Sequence, residues 1–378
     1  METCDVLIVG GGPAGSSCAW HLCRHGLDVV IMDKAVFPRD KVCAGWITPA
    51  VVHALQLDTY AYAREHVLQR ISSFRTGMIN GNDLETHYPT PVSYGILRRE
   101  FDSYLLNRSG ARLMLGQPLV SFERDGSQWL VNDSISTPLV IGAGGHFCPV
   151  ARNLGAKLGA DEISVLAKEL EIEMTPSQQE ECSVKADMPE LYFCPDMKGY
   201  GWCIRKGSYL NIGLGREGSR GLPEQLENFC SFLRKRGRIP HATLEKFHGH
   251  AYLLYGNSGR KLIDDGVLLI GDAAGLAYPQ SGEGIRPAVE SGLMAAATIL
   301  EAKGDYSTQQ LLPYSKRLRE RFGEPTPSGN GGPEIIRKML AGTLLGSRWF
   351  TRNVLLDRWF LHTDVSEMKI TPHGGAVS

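Results

Sequence analysis

Apolar and polar positions divide this chain into segments of two periods. Val6-Leu7-Ile8-Val9 is a continuous apolar run of the length of a strand buried on both faces. Ser16, Ser17, Ala19 and Leu22 follow in a small-residue helical pattern. Gly26 ends it, and a second apolar run, Val29-Val30-Ile31-Met32, closes at Asp33. A helix is predicted around 49–57, and residues 67–97 alternate as short antiparallel strands with turn signals at Gly77, Asn80-Gly81-Asn82 and Pro89. Residues 98–109 read as a helix with Phe101, Tyr104 and Leu105 on one face. Residues 119–141 read as strands around a turn at Asp125-Gly126, the last being the buried run Leu139-Val140-Ile141. Residues 163–215 are strand-rich, carrying the β-prone Tyr192, Phe193, Tyr200, Trp202, Tyr209 and Ile212. A helix at 223–236, a strand near 244–254, a third buried run Val267–Ile270 and a long small-residue helix at 284–302 complete the pattern. Pro325–Pro333 reads as a linker into a helical segment at 334–361.

Buried strands and alternating strands interleave, which predicts a mixed α/β fold. Residues 1–55, 95–155 and 255–325 are expected to build a Rossmann-like cofactor domain, and 56–94 and 156–254 an antiparallel-sheet substrate domain. Residues 326–378 are then a linker and C-terminal helical segment. Such returns of the chain place a shared interface, and so a pocket, between the two domains.

The first unit carries chemistry. Gly10-Gly11-Gly12-Pro13-Ala14-Gly15 joins strand to helix: Gly10 permits the tight turn, Gly12 the approach of backbone to a pyrophosphate, and Gly15 close packing of helix on strand. The helix N-terminus offers unpaired amides to phosphate, and Asp33 lies where a carboxylate accepts ribose hydroxyls. A second signal is Gly271-Asp272-Ala273-Ala274-Gly275 with Gly282-Glu283-Gly284-Ile285. Here a buried strand delivers Asp272 to a sugar-alcohol hydroxyl, and the amides near Gly284-Ile285 face an electron-rich ring edge.

Composition narrows the class. With 378 residues, 43% hydrophobic and 21% charged, the chain is globular and enzyme-sized, and a net charge of −1 argues against a nucleic-acid partner. Nine dispersed cysteines without a CxxC pair predict reduced thiols. The motif begins close to Met1 and no apolar run is long enough to span a bilayer, so a cytoplasmic protein is expected. His248 and His250 share a strand face but lack a third candidate ligand, so no metal site is expected.

Gly10–Gly15 with Asp33, Arg98 four before Asp102, and Leu269-Ile270-Gly271-Asp272 together resemble the para-hydroxybenzoate-hydroxylase-like FAD enzymes over roughly residues 1–325. Within them, the loop Phe37-Pro38-Arg39-Asp40-Lys41-Val42-Cys43-Ala44-Gly45 is similar to that of the geranylgeranyl reductase branch. So are Gly199-Tyr200-Gly201-Trp202 and Pro279-Gln280-Ser281-Gly282-Glu283-Gly284-Ile285. The resemblance implies FAD, with Asp33 on the adenosine ribose, Arg98 along the pyrophosphate and ribityl chain, and Asp272 on a ribityl hydroxyl. Gly45 would lie near the isoalloxazine and Cys43 would face the substrate. Gly10, Gly12, Pro13, Ala14, Gly15, Lys34, Lys41, Val120, Gly282, Gly284 and Ile285 complete the expected cofactor contacts. Three positions depart from the branch: Ala44 replaces a glycine, Ile204-Arg205 replaces Phe-Pro, and Gly144-Gly145 replaces the superfamily's Asp-Gly. The last leaves NAD(P)H and another electron donor as alternative reductants.

The function so implied is hydride transfer from reduced flavin to a C=C bond of an isoprenoid-like or other apolar substrate. Cys43 and Tyr200 are the candidate catalytic groups, and Tyr192, Tyr200 and Trp202 the candidate walls of the substrate cavity. A flavin monooxygenase, a halogenase and a non-catalytic flavin-binding regulatory protein are the alternatives. For the apolar, arginine-bearing stretch 344–361, a lid over the cavity competes with peripheral contact to a membrane.

Overall fold

The computed structural model describes residues 1–157, 162, 164–218, 221–240, 246–325, 344–370 and 376–377. The predicted linker beyond Pro325 and the first part of the C-terminal segment lie outside them. Val6–Val9, fully apolar and buried, takes an inner place in a six-stranded sheet. The strand order is Ile263–Asp264, Val267–Leu269, Val140–Gly142, Val6–Val9, Val29–Asp33 and Arg112–Leu115. Leu7 stands opposite Val30 on one side and Val140 on the other, both pairings parallel. The chain therefore departs in opposite directions from Val6–Val9, and a crevice opens at the carboxyl ends of the strands at this switch point.

Small residues close the layers over that sheet. The helix Pro13–Arg24 starts on a proline, which suits the fixed φ of a first helical residue. The long helix Ile285–Ala302, with nearly every residue buried, crosses it so tightly that a Cβ on Gly292 would lie 2.4 Å from the Ala14 carbonyl oxygen. A helix not foreseen in the sequence, Thr308–Phe322, buries Leu311, Tyr314 and Leu318, and the Tyr314 hydroxyl donates to the Leu269 carbonyl at 2.9 Å.

A seven-stranded sheet forms the second layer system. Its order is His248–Leu253, Ser164–Glu173, Tyr209–Glu217, Gly199–Lys206, Glu190–Phe193, Ser73–Met78 and Asp83–His87, antiparallel except where Glu190–Phe193 meets Ser73–Met78. Both faces are covered. Tyr192, Cys203, Leu210 and Ile212 pack under the helix Leu222–Lys235, while Leu191, Phe193, Trp202 and Ile204 pack against Leu355, Leu356 and Phe360 of the C-terminal segment. That segment runs through Arg348–Phe350 into a wider-wound π-type helix, Thr351–Phe360.

Gly292→Leu tests the close crossing. The helix propensity gained is under ~1 kcal/mol, and the carbonyl it meets is backbone that cannot turn aside. A net destabilisation of about 1–3 kcal/mol is expected, read as a lower urea midpoint at unchanged slope.

Candidate functional site

A cavity of about 610 Å³ occupies the switch point, and both large sheets contribute to its walls. Two helices begin on it, at Gly12 and at Gly284; neither glycine offers a capping side chain, and in the second helix Glu283 takes up the Arg286 amide alone. Uncapped amides at the positive ends of two helices make this wall a receptor for anionic and electron-rich groups. Gly10, Gly12, Pro13 and Ala14 line it. Gly10 has φ +120°, and a Cβ there would lie 2.3 Å from the Ala143 carbonyl oxygen, so no other residue fits. Gly15 sits behind the wall, where a Cβ would come 2.0 Å from the Gly10 oxygen.

Asp33 lines the cavity while its carboxylate accepts the Gly11 and Ala35 amides, each at 2.8 Å. Lys34 stands exposed on the rim. Val120 is a correction: it is 82% exposed and lies outside the wall, which is formed there by Gln117, Pro118 and Leu119. The Val120 amide instead donates to Asn132 Oδ1 at 2.7 Å, turning the residue outward.

The guanidinium of Arg98 makes a two-pronged bond to the fully buried Asp102, at 2.9 and 2.8 Å. This i,i+4 pair fixes Arg98 in the wall, and the second partner, Arg39, reaches Asp102 at 3.3 Å. Sequence reasoning did not single out Arg39 as a contact, although it lies in the Phe37-Pro38-Arg39 signature. Its Nη2 stands 3.6 Å from where a Cβ on Gly12 would be, and its buried Nη1 has no hydrogen-bond partner among the described residues. A buried, unpaired guanidinium N–H above an uncapped helix end marks an anion site.

Cys43 lines the cavity on a loop held from below by a buried polar cluster. The Cys43 amide donates to Glu169, and Asn211 Nδ2 reaches the Cys43 carbonyl at 3.1 Å, Glu169 at 2.7 Å and Glu171 at 3.0 Å. Lys206, with no exposed side-chain surface, donates to Glu171 at 2.7 Å, and Trp202 Nε1 donates to Asn211 Oδ1 at 2.7 Å. Gly45, at φ +64°, does not line the cavity: it seals the loop onto this cluster, where a Cβ would lie 2.2 Å from Lys206 Nζ. Burial and the neighbouring Glu171 raise the Glu169 carboxyl to about 8, against Lys206. The signal for this cluster was present as Glu169 and Glu171 at strand spacing, but alternate charges on a strand ordinarily denote its solvent face.

Asp272 enters the cavity from the end of Val267–Leu269, with Gly282, Gly284 and Ile285 beside it. His250 Nε2 stands 3.8 Å from Asp272 Oδ2 and 2.5 Å from Lys41 Nζ. Burial raises the Asp272 carboxyl, but the His250 contact and the Lys41 charge outweigh it and hold the group below the usual range. Burial pushes the Lys41 ammonium down to about 8 in spite of Asp272.

The wall beyond Cys43 is aromatic. Tyr200, Trp202, Trp46 and Phe360 line it, with the Tyr200 and Phe360 rings 5.3 Å apart and Trp46 stacked on Phe360 at 5.8 Å. Trp202 lies flat against a glycine stripe, since a Cβ on its cross-strand partner Gly213 would fall 2.2 Å from the indole. Tyr192, like Val120 and Gly45, is a correction. Leu191 is paired with Trp202, so Tyr192 points through the opposite face, where it is fully buried against Phe229 and Phe232 and bonds Glu190 at 2.9 Å. The 344–361 stretch acts as a cover: Leu355, Leu356 and Phe360 pack inward, while Trp349 is 68% exposed.

Residues 3–324 match the model of the family described as FAD binding domain. The chain is 29% identical over 321 residues to the menaquinone reductase of Mycobacterium tuberculosis, covering 78% of this chain and 76% of that one. It is 28% identical over 358 residues to the digeranylgeranylglycerophospholipid reductase of Methanocaldococcus jannaschii, covering 89% and 87%. A solved geranylgeranyl bacteriochlorophyll reductase-like protein from Thermoplasma acidophilum shares the fold, with a TM-score of 0.73 at 21% identity over 99% of this chain and 95% of that one.

The Glu169 carboxyl gives a pH prediction. Between about 4.5 and 8 the folded state keeps a proton that the unfolded chain has released, so this group makes stability fall as pH rises through that window. Glu169→Gln is expected to flatten the fall, measured as urea midpoints against pH on the cofactor-free protein.

Proposed function

The chain belongs to the FAD binding domain family, in its geranylgeranyl reductase-like branch, and on that premise we propose that it saturates C=C bonds of an isoprenoid chain. The observation that carries this reading is one continuous cavity with two characters: a dinucleotide receptor at the switch point and an aromatic chamber beyond Cys43. The residues fit the cofactor. Uncapped amides after Gly12, with Arg39 and Arg98, suit the pyrophosphate; Asp33 suits the adenosine ribose; Asp272 suits a ribityl hydroxyl; the amides at Gly284-Ile285 suit the pyrimidine edge of the ring. Reduced FAD supplies the hydride for such a reaction.

The chain's own residues do the rest. Trp46, Tyr200, Trp202 and Phe360 exclude water and align an apolar chain, and the cluster under Cys43 fixes the loop between cofactor and substrate. The substrate class follows from the chamber and from the relatives, whose names specify menaquinone and digeranylgeranylglycerophospholipid, both prenylated molecules. Trp349 and Leu344, exposed beside Arg348, give the cover a surface suited to a lipid interface from which such substrates come. No helix among the described residues is long and apolar enough to cross a membrane.

The test is anaerobic. Holoenzyme reduced with dithionite is expected to be reoxidised by a prenylated lipid without a quinone ring, whose mass rises by one hydrogen molecule per bond saturated. Reoxidation by oxygen alone, through an absorbing hydroperoxide, would count instead for a monooxygenase. Arg39→Ala removes a charged donor from the anion site and is expected to weaken FAD binding roughly 10- to 100-fold, measured by equilibrium titration of the apoprotein.

A further inference from the structure

Adding hydrogen across a C=C bond takes a proton as well as a hydride. Tyr200 is a weak source of one: burial raises the pKa of its hydroxyl, which donates to the Ser281 carbonyl at 2.5 Å, further from neutrality. We propose that Glu283 is the proton donor of the reaction and that His362, from the C-terminal cover, holds its acid form in place. The inference rests on the reductase reading.

Glu283 lines the cavity between Gly282 and Gly284, in the turn that opens the long helix. Its Oε1 accepts the Arg286 amide at 3.2 Å. Its Oε2 is buried without a hydrogen-bond partner among the described residues, and so is His362 Nε2; the two atoms face each other at 3.6 Å. A carboxylate oxygen and an imidazole lone pair would repel across that gap. A proton on Oε2, with the gap closed by roughly 0.6 Å, makes an O–H···N hydrogen bond that satisfies both atoms.

The surroundings decide where that proton sits. Burial pushes the Glu283 carboxyl up to about 7 against the pull of Arg286, and burial with Arg286 pushes His362 down to about 3. The proton therefore belongs to Glu283 and the imidazole is neutral. The other groups facing the pair are Glu290, Tyr278 and Tyr200. Glu290 is held by Arg286 and Arg321, Tyr278 stacks on the His362 ring at 3.8 Å, and the Tyr200 hydroxyl is the one bonded to Ser281. Arg286 also grips the backbone of the cover, donating to the Val365 and Ser366 carbonyls at 3.2 Å each, so His362 is fixed relative to Glu283.

The step balances. One carbon of the double bond receives the hydride supplied by reduced FAD, the other receives the Glu283 proton, and oxidised FAD and a carboxylate remain. The carboxylate takes its proton back from water when the product leaves the cavity that Glu283 lines.

Two readouts test this. Infrared titration of the protein, with and without FAD, is expected to show a protonated carboxyl with a midpoint near 7 that vanishes in Glu283→Gln and moves in His362→Gln. Glu169→Gln and Glu190→Gln remove the other raised carboxyls among the described residues and serve as the controls. In single turnover, reduced Glu283→Gln with normal FAD affinity is expected to be reoxidised by substrate ~100-fold or more slowly than wild type, with partial rescue in Glu283→Asp. A variant as fast as wild type, or a titrating carboxyl that survives Glu283→Gln, overturns the proposal. If Glu283→Gln fails to hold FAD, an unmoved midpoint and an unchanged rate in His362→Gln overturn it. Wild-type enzyme that no prenylated substrate reoxidises is a different failure, that of the reductase reading itself.

Discussion

Two helix N-termini with glycine at the cap position, both opening on one cavity, are the constraint around which this protein is arranged. Each leaves amide donors and a positive dipole end in a place that a folded chain alone would satisfy with serine, threonine or aspartate. Glycine stands at both caps instead. The arrangement is supportable because the helices are fixed by packing that does not depend on their ends: Gly15 against Gly10, and Gly292 against Ala14, each at backbone-to-backbone range. Close packing of small residues holds the donors rigid, and the donors are left for a ligand.

The same division between support and contact recurs at the Cys43 loop. Its backbone is bound by Glu169 and Asn211, which are in turn bound through Glu171, Lys206 and Trp202 across three strands. Two carboxyls and one ammonium in a water-poor layer cannot all be charged without a net negative charge, and burial resolves this by lifting Glu169 toward neutrality. The network joins the aromatic chamber to the loop at its mouth, since Trp202 and Cys43 share Asn211 as a partner. A change in either is felt by the other.

Much of this was legible in the sequence, and the reasons for what was not are physical. Buried strands announce themselves as unbroken apolar runs, so Val6–Val9, Val29–Asp33, Val140–Gly142 and Val267–Leu269 were found, and with them the glycines and acids at their ends. Local spacing placed Arg98 four before Asp102 on one helix, the pairing itself coming from the structure. It did not give register between strands, and Tyr192 was assigned to the cavity although its parity against Trp202 puts it on the opposite face. Nor did it reveal that Glu169 and Lys206 are buried and Glu171 half-buried, because a sheet covered on both faces hides polar positions that usually meet water. The helix Thr308–Phe322 shows a readable spacing at Leu311, Tyr314 and Leu318 that was passed over. Glu283 stood inside a recognised motif, but its partner His362 is contributed from far along the chain.

That distant contribution gives the C-terminal cover a role beyond shielding. Phe360 closes the aromatic chamber against Tyr200 and Trp46, and two residues later His362 meets Glu283. Arg286 ties this turn to the long helix whose N-terminus opens on the cavity. Apolar closure and the proton site are thus mechanically one element.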